Sequence, residues 1–296
     1  MNRQDFLKKG LQTTGALIAT SGIAKAIQNS ATTITESEQL VDNNTGFNHL
    51  PNTNSKIMNN TVLHKAATRG YANHGWLKSN HTFSFANYYN PERMHFGVLR
   101  VLNDDFIDGG MGFGTHPHDN MEIITIPLSG SLAHKDSMGN GTTIKSGDIQ
   151  VMSAGTGIQH SEFNADAKDP VTLLQIWVIP NKRSVTPRYD QITLNKSDEH
   201  NQLNQILSPN ANDNGVWIHQ DAWFHLGTFD QNKTFNYDLR KKGNGVYAFV
   251  IEGSFEINNQ SLSTRDALGI WDVSDLNIKS TAANSRILIM DVPMTI

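Results

Sequence analysis

From position 62 onward the apolar residues fall in short runs, broken about every ten residues by glycine, proline or asparagine. Thr82-Phe83-Ser84-Phe85 alternates polar and aromatic side chains, which a strand sends to opposite faces. Residues 96–102 have strand composition, and Asn103-Asp104-Asp105 and Gly109-Gly110 read as turns after it. Residues 121–128 predict another strand, turned at Leu128-Ser129-Gly130-Ser131. Gly139-Asn140-Gly141 and Lys145-Ser146-Gly147-Asp148 predict two more turns, and residues 171–179 form a near-continuous apolar strand that stops at Pro180. Many short strands at this spacing indicate an all-β sandwich or barrel.

The pattern then recurs. Asn181-Lys182-Arg183-Ser184-Val185-Thr186-Pro187 is polar and ends in proline, which places a domain crossover there. Strand signals resume at Val216-Trp217-Ile218 and run through residues 222–229. Residues 245–257 read strand, turn, strand and echo residues 123–132; residues 266–271 echo 147–152. A degenerate internal repeat of this kind predicts two barrels in tandem, one over 62–185 and one over 186–296. The 296 residues suffice for two domains of ordinary size.

The start of the chain has a different character. A basic beginning (Arg3, Lys8, Lys9), a moderately apolar run over 11–23 and Ala24-Lys25-Ala26 have the layout of a signal peptide over residues 1–26. Arg3-Gln4-Asp5-Phe6-Leu7-Lys8 resembles a twin-arginine export motif with Gln4 in the second arginine's place. Residues 27–61, rich in Asn, Thr and Ser, read as a solvated linker. The expectation is an exported, periplasmic protein, cleaved after Ala26 and free of the membrane after processing.

Composition narrows the chemistry. A formal net charge of −4 supplies no overall electrostatic drive toward nucleic acid. With no cysteine there are no disulfides, thiolate ligands or thiol nucleophiles, so any bound metal must be held by histidine and carboxylate. Two groups have those residues at the right spacing. His116 and His118 are two apart, as are His160 and Glu162. On strands each pair shares a face, and on neighbouring strands of a barrel all four converge. Three imidazoles and one carboxylate suit Fe(II), Mn, Co, Ni or Cu better than Mg or Ca, and leave positions open for a reactant. Glu122 has the strand parity of His118 and is a further inward candidate. Phe113, Met121, Met152 and Phe163 are candidates to line an apolar pocket. The later half has lost such pairs: Trp271-Asp272-Val273 stands where the second would be expected, and His219 and His225 read as structural or exposed.

Residues 110–130 read G-x5-H-x-H-x3-E-x7-G, which resembles the first motif of the cupin superfamily with a final spacer one residue longer than usual. His160-Ser161-Glu162 departs from the general cupin pattern and resembles the pirin family of two-domain cupins. So do residues 81–89 (His-Thr-Phe-Ser-Phe-Ala-Asn-Tyr-Tyr), 136–140 (Asp-Ser-Met-Gly-Asn) and 152–157 (Met-Ser-Ala-Gly-Thr-Gly). The resemblance runs from about Val62 to the C-terminus and is nearest to bacterial pirin-like proteins described as quercetin 2,3-dioxygenases. It implies a bicupin of two double-stranded β-helix barrels, the first binding one divalent transition metal and the second metal-free. Fe(II) is the first expectation, with Mn, Co, Ni, Cu or Zn as the others. The resemblance further implies His116, His118, His160 and Glu162 as ligands, Glu162 as catalytic base, and a monomer opening a flavonol-like substrate with O2. A non-catalytic, metal-binding regulatory or redox-sensing protein is the other function the family allows.

Overall fold

The computed structural model describes residues 60–296. The signal peptide expected over 1–26 and all but the end of the linker expected over 27–61 lie outside the described residues. Within them the chain forms two barrels, each from one seven-stranded and one four-stranded sheet. The first barrel's large sheet runs, edge to edge, Arg188–Thr193, Asp148–Ser153, Glu122–Ser129, Val171–Val178, Leu99–Ile107, Leu77–His81 and Gly70–Asn73. Its small sheet runs Gly112–His118, Ile158–Asn164, Ser131–Asp136 and Gly141–Lys145. The second barrel repeats this plan, with Asn244–Glu252 beside Ser285–Pro293 in its large sheet and Thr234–Asp238 beside Asp275–Ser280 in its small one.

The two large sheets pack face to face, which explains why their strands read as apolar blocks. Ile124 and Ile126 point across to the other barrel and join Phe224, Phe249 and Leu288 in the largest core. Ile123, just before them, points into its own barrel against Met121 and Met152. In the second barrel Tyr247, Phe249 and Ile251 face across, while Val246, Ala248 and Val250 fill that barrel. A strand buried on both faces must be apolar at consecutive positions. The internal repeat is visible at its pivots. Gly130 and Gly253 each hold a left-handed φ, 69° and 72°, between the large-sheet strand and the small-sheet strand that follows.

Strand pairing does not follow the boundary expected at 185/186. Thr61–His64 pairs with Ala267–Trp271 of the second barrel before the chain crosses into the first. Asp266 fastens that crossing by accepting from Lys65 Nζ (2.7 Å) and the Ala66 amide (2.8 Å). Arg188–Thr193 pairs back onto Asp148–Ser153 of the first barrel. Each large sheet thus takes its outermost strand at one edge from a segment lying beyond the repeat itself. The turn expected at Asn103-Asp104-Asp105 is also corrected: these residues lie inside the nine-residue strand Leu99–Ile107.

Gly97 is a point where the C-terminal tail meets the first barrel. Its φ is +52°, and a Cβ there would lie 2.1 Å from the Pro293 carbonyl oxygen. Gly97→Ala is therefore expected to destabilise the fold by about 2–4 kcal/mol, from left-handed strain and overpacking together. Denaturant unfolding measures this, and a loss below about 0.5 kcal/mol, the ordinary surface scatter, would show that the tail is not held there.

Candidate metal centre

The strands Gly112–His118 and Ile158–Asn164 are antiparallel neighbours, with His160 opposite His116 and Ile158 opposite His118. Alternation turns Thr115 and Pro117 to solvent and His116 and His118 inward. It turns His160 and Glu162 inward in the same way. A register shift between His160 and Glu162 sets Glu162 opposite Phe113, and Gly112 permits it, since a Cβ there would lie 2.2 Å from the Glu162 carbonyl oxygen.

His116, His118 and His160 each offer one ring nitrogen to a group whose atoms all lie within 4.8 Å of one another. All three are buried. His116 Nδ1 is 2.8 Å from the Gly114 carbonyl oxygen, so it donates there and Nε2 is left for the centre. His160 Nδ1 is 3.1 Å from His134 Nε2, while His160 Nε2 has no hydrogen-bond partner among the described residues. Burial keeps the three rings neutral: it pulls His118 down to about 3, His160 well below its usual value and His116 down as well. For His118 and His160, repulsion from the neighbouring imidazoles adds to this. Neutral, converging imidazoles with a buried, unpartnered nitrogen among them are a donor set that fits a first-row divalent metal.

Glu162 lies outside that 4.8 Å group but lines the same pocket as His116 and His118. Its two oxygens accept from Gln175 Nε2 at 3.1 and 3.3 Å, and the Thr125 hydroxyl donates to Gln175 Oε1 at 3.1 Å, which fixes the amide's orientation. Burial pushes the Glu162 carboxyl up to about 7, against the opposing pull of the Gln175 hydrogen bond. The space within the pocket walls is about 40 Å³. Leu77, Phe85, Phe113 and Trp177 form its apolar side; Ser79, Asn103, Asp105 and Gln175 form a polar one. Asp105 accepts from the Ser79 hydroxyl, and burial raises its carboxyl to about 7, helped by the nearby Asp104 and Glu162 charges.

Several sequence expectations are corrected here. Glu122 does not line this pocket. The chain reverses at Asn120, whose φ is +44°, so the parity of His118 does not carry through to Glu122. The carboxylate instead accepts from the Ser153 hydroxyl at 2.6 Å and from the His219 backbone. Phe113 lines the pocket, but Met121 and Met152 are packed in core with Ile123, and Phe163 is not among the lining residues. In the second barrel the counterparts of the ligand strands carry Phe235, Tyr237, Leu276 and Ile278 toward the core, so the lost pair corresponds to 276–278 and not to 271–273. His225 is buried against Tyr237 with Nε2 3.1 Å from Arg240, and His219 packs edge-on to Trp217, both in structural roles. His134, Gln175 and Asp105 are site residues that the motifs did not reveal. The available signal was inward parity on an apolar strand, as in Leu132-Ala133-His134.

The Pirin family model matches residues 62–178, and the model of the quercetinase C-terminal cupin domain matches 205–292. Quercetin 2,3-dioxygenase of Escherichia coli K12 is 43% identical over 231 residues, covering 78% of this chain and 98% of that protein. A pirin-like protein of Caulobacter vibrioides is 37% identical over 221 residues, covering 74% and 94%. The crystal structure of the bacterial pirin YhhW from Escherichia coli in complex with nickel(II) superposes with a TM-score of 0.75 at 42% identity, covering 79% of this chain and 99% of that one.

Proposed function

The chain belongs to the pirin family, and from that membership we propose that it is a metal-dependent dioxygenase that opens a flavonol-like ring with O2. The observation that carries this reading is the convergence of three buried, neutral imidazoles, two of which, His116 and His118, line a pocket beside the rings of Phe113 and Trp177. His116, His118 and His160 would hold one divalent metal, with Glu162 as the fourth donor; Fe(II) is our first choice. A bound metal supplies Lewis acidity toward a phenolic oxygen and redox access to O2.

The chain's own residues supply the rest. Phe85, Phe113 and Trp177 present ring faces and edges that suit a flat aromatic substrate and exclude water from it. Glu162, raised to about 7 by burial, is matched to take the proton of the flavonol 3-hydroxyl near neutral pH. Gln175 holds that carboxylate in place through the transfer, and Thr125 holds Gln175. In the overall reaction flavonol and O2 become a ring-opened ester and CO.

Anaerobic addition of quercetin to metal-loaded protein should shift the flavonol's absorption, and admission of O2 should then bleach it with release of CO. Fully metallated protein that neither binds flavonols nor consumes O2 with them would overturn the reading. The protein works, in this reading, as an exported monomer that engages no nucleic acid.

A further inference from the structure

A fourth imidazole stands behind the three-histidine group. His134 lies on Ser131–Asp136, the neighbour of Ile158–Asn164, with its Cα in register with that of Glu162. It is 2% exposed, and its Nε2 sits 3.1 Å from Nδ1 of His160. Tyr189 covers the His134 ring, with centroids 5.0 Å apart and planes 35° from parallel. Tyr189 is itself pinned: its hydroxyl lies 2.6 Å from that of Thr142 and donates to Gln191 at 2.8 Å. The ring of His134 therefore has little freedom to turn away from His160.

One proton bridges the two nitrogens, and it has two possible homes. If His134 Nε2 carries it, His160 Nδ1 is the acceptor, and a neutral His160 must keep its other proton on Nε2. That proton would block the atom that faces His116 and His118. If His160 Nδ1 carries it, Nε2 has a free lone pair and His134 is the acceptor. His116 meets no such choice, because its Nδ1 faces the Gly114 carbonyl oxygen, which can only accept. The tautomer of His160 is thus set by a side chain and not by backbone.

We propose that His134 is a positioning residue for metal binding: it accepts the Nδ1 proton of His160 and so fixes the tautomer and ring plane in which Nε2 can ligate. The inference rests on the reading of His116, His118 and His160 as metal ligands. An acceptor at this place raises ligand basicity and pairs the His160 Nδ1–H, and it puts the proton of His134 on Nδ1, which is buried without a hydrogen-bond partner among the described residues.

The test is Co(II) affinity of the metal-stripped full chain, measured by chelator competition. Wild type should bind one equivalent; if it binds none, the ligand reading itself fails and the proposal with it. His134→Phe keeps an aromatic ring under Tyr189 but has no acceptor, and should bind Co(II) roughly ten- to hundred-fold more weakly. His134→Gln restores an acceptor and should recover most of that loss, which a purely structural role would not produce. Affinity of His134→Phe within about twofold of wild type, or equal weakening in both variants, would overturn the proposal while leaving the metal site standing. Nitrogen NMR of the Zn(II)-loaded wild type decides the matter without any variant. His160 Nδ1 should be protonated and His134 Nε2 bare; the opposite pattern overturns the proposal.

Discussion

Protein carrying His116→Ala together with His160→Ala is expected to purify with less than about a tenth of an equivalent of metal, against one equivalent for wild type. The two side chains face each other across the paired strands, with ring centroids 4.4 Å apart. Their removal leaves only His118 and Glu162 of the proposed donors. Two donors do not hold a first-row metal in competition with water and buffer. The fold should persist, because the core between the two large sheets and the core of the second barrel contain neither residue. Far-ultraviolet circular dichroism and elemental analysis on the same sample separate loss of metal from loss of structure. A full equivalent retained by a folded double variant would overturn the ligand assignment. The pH behaviour of wild type follows from the same burial. A histidine whose folded pKa is depressed stays neutral until the pH falls through that lower value. His118, held at about 3, is therefore not protonated at pH about 5, and burial lowers His160 in the same direction. Mild acidification should not strip the metal by protonating His118; Glu162, raised to about 7, is the proposed donor that takes a proton first.

Glu162→Gln should lower kcat by about 100- to 10,000-fold while flavonol affinity changes by less than about threefold. The exchange preserves size, and an amide oxygen can still accept from Gln175, so the local geometry survives. What disappears is the capacity to take a proton. Burial is the main reason Glu162 has that capacity near neutrality, since it raises the carboxyl to about 7. Stopped-flow bleaching under O2 gives kcat, and anaerobic titration gives affinity. Metal content is measured alongside, because a variant that loses metal assigns Glu162 a role in retention. Turnover within about threefold of wild type in the fully metallated variant would remove Glu162 as the base.

Much of the architecture was legible because strand alternation is a local property. The pairs at 116 and 118 and at 160 and 162 share a face whatever surrounds them, and the structure turns all four inward. The repeat between 123–132 and 245–257 likewise appears as matching strands pivoting on Gly130 and Gly253. Asn103-Asp104-Asp105 shows where local reading misleads. Three polar residues in a row look like a turn, but Leu99–Ile107 continues straight through them because both of its faces have polar partners. Asp105 faces Ser79 in the pocket, and Asp104 faces Arg69 (3.3 Å) and Arg265 (3.1 Å) on the other side.

Local patterning was enough to show which side chains share a face, where most turns fall, and that the second barrel lacks the ligand pairs. These follow from bonds and sterics within a few residues. Which faces meet depended on the folded chain as a whole. The register that sets His160 opposite His116 is a matter of pairing between segments more than 40 residues apart, and the covering of the second barrel's edge by Thr61–His64 spans about 200. The same holds for His134 behind His160, Gln175 on Glu162, and Glu122 turned away to Ser153. Pairing of that kind is selected by the burial of two large sheets against each other, an energy that belongs to no single stretch of chain.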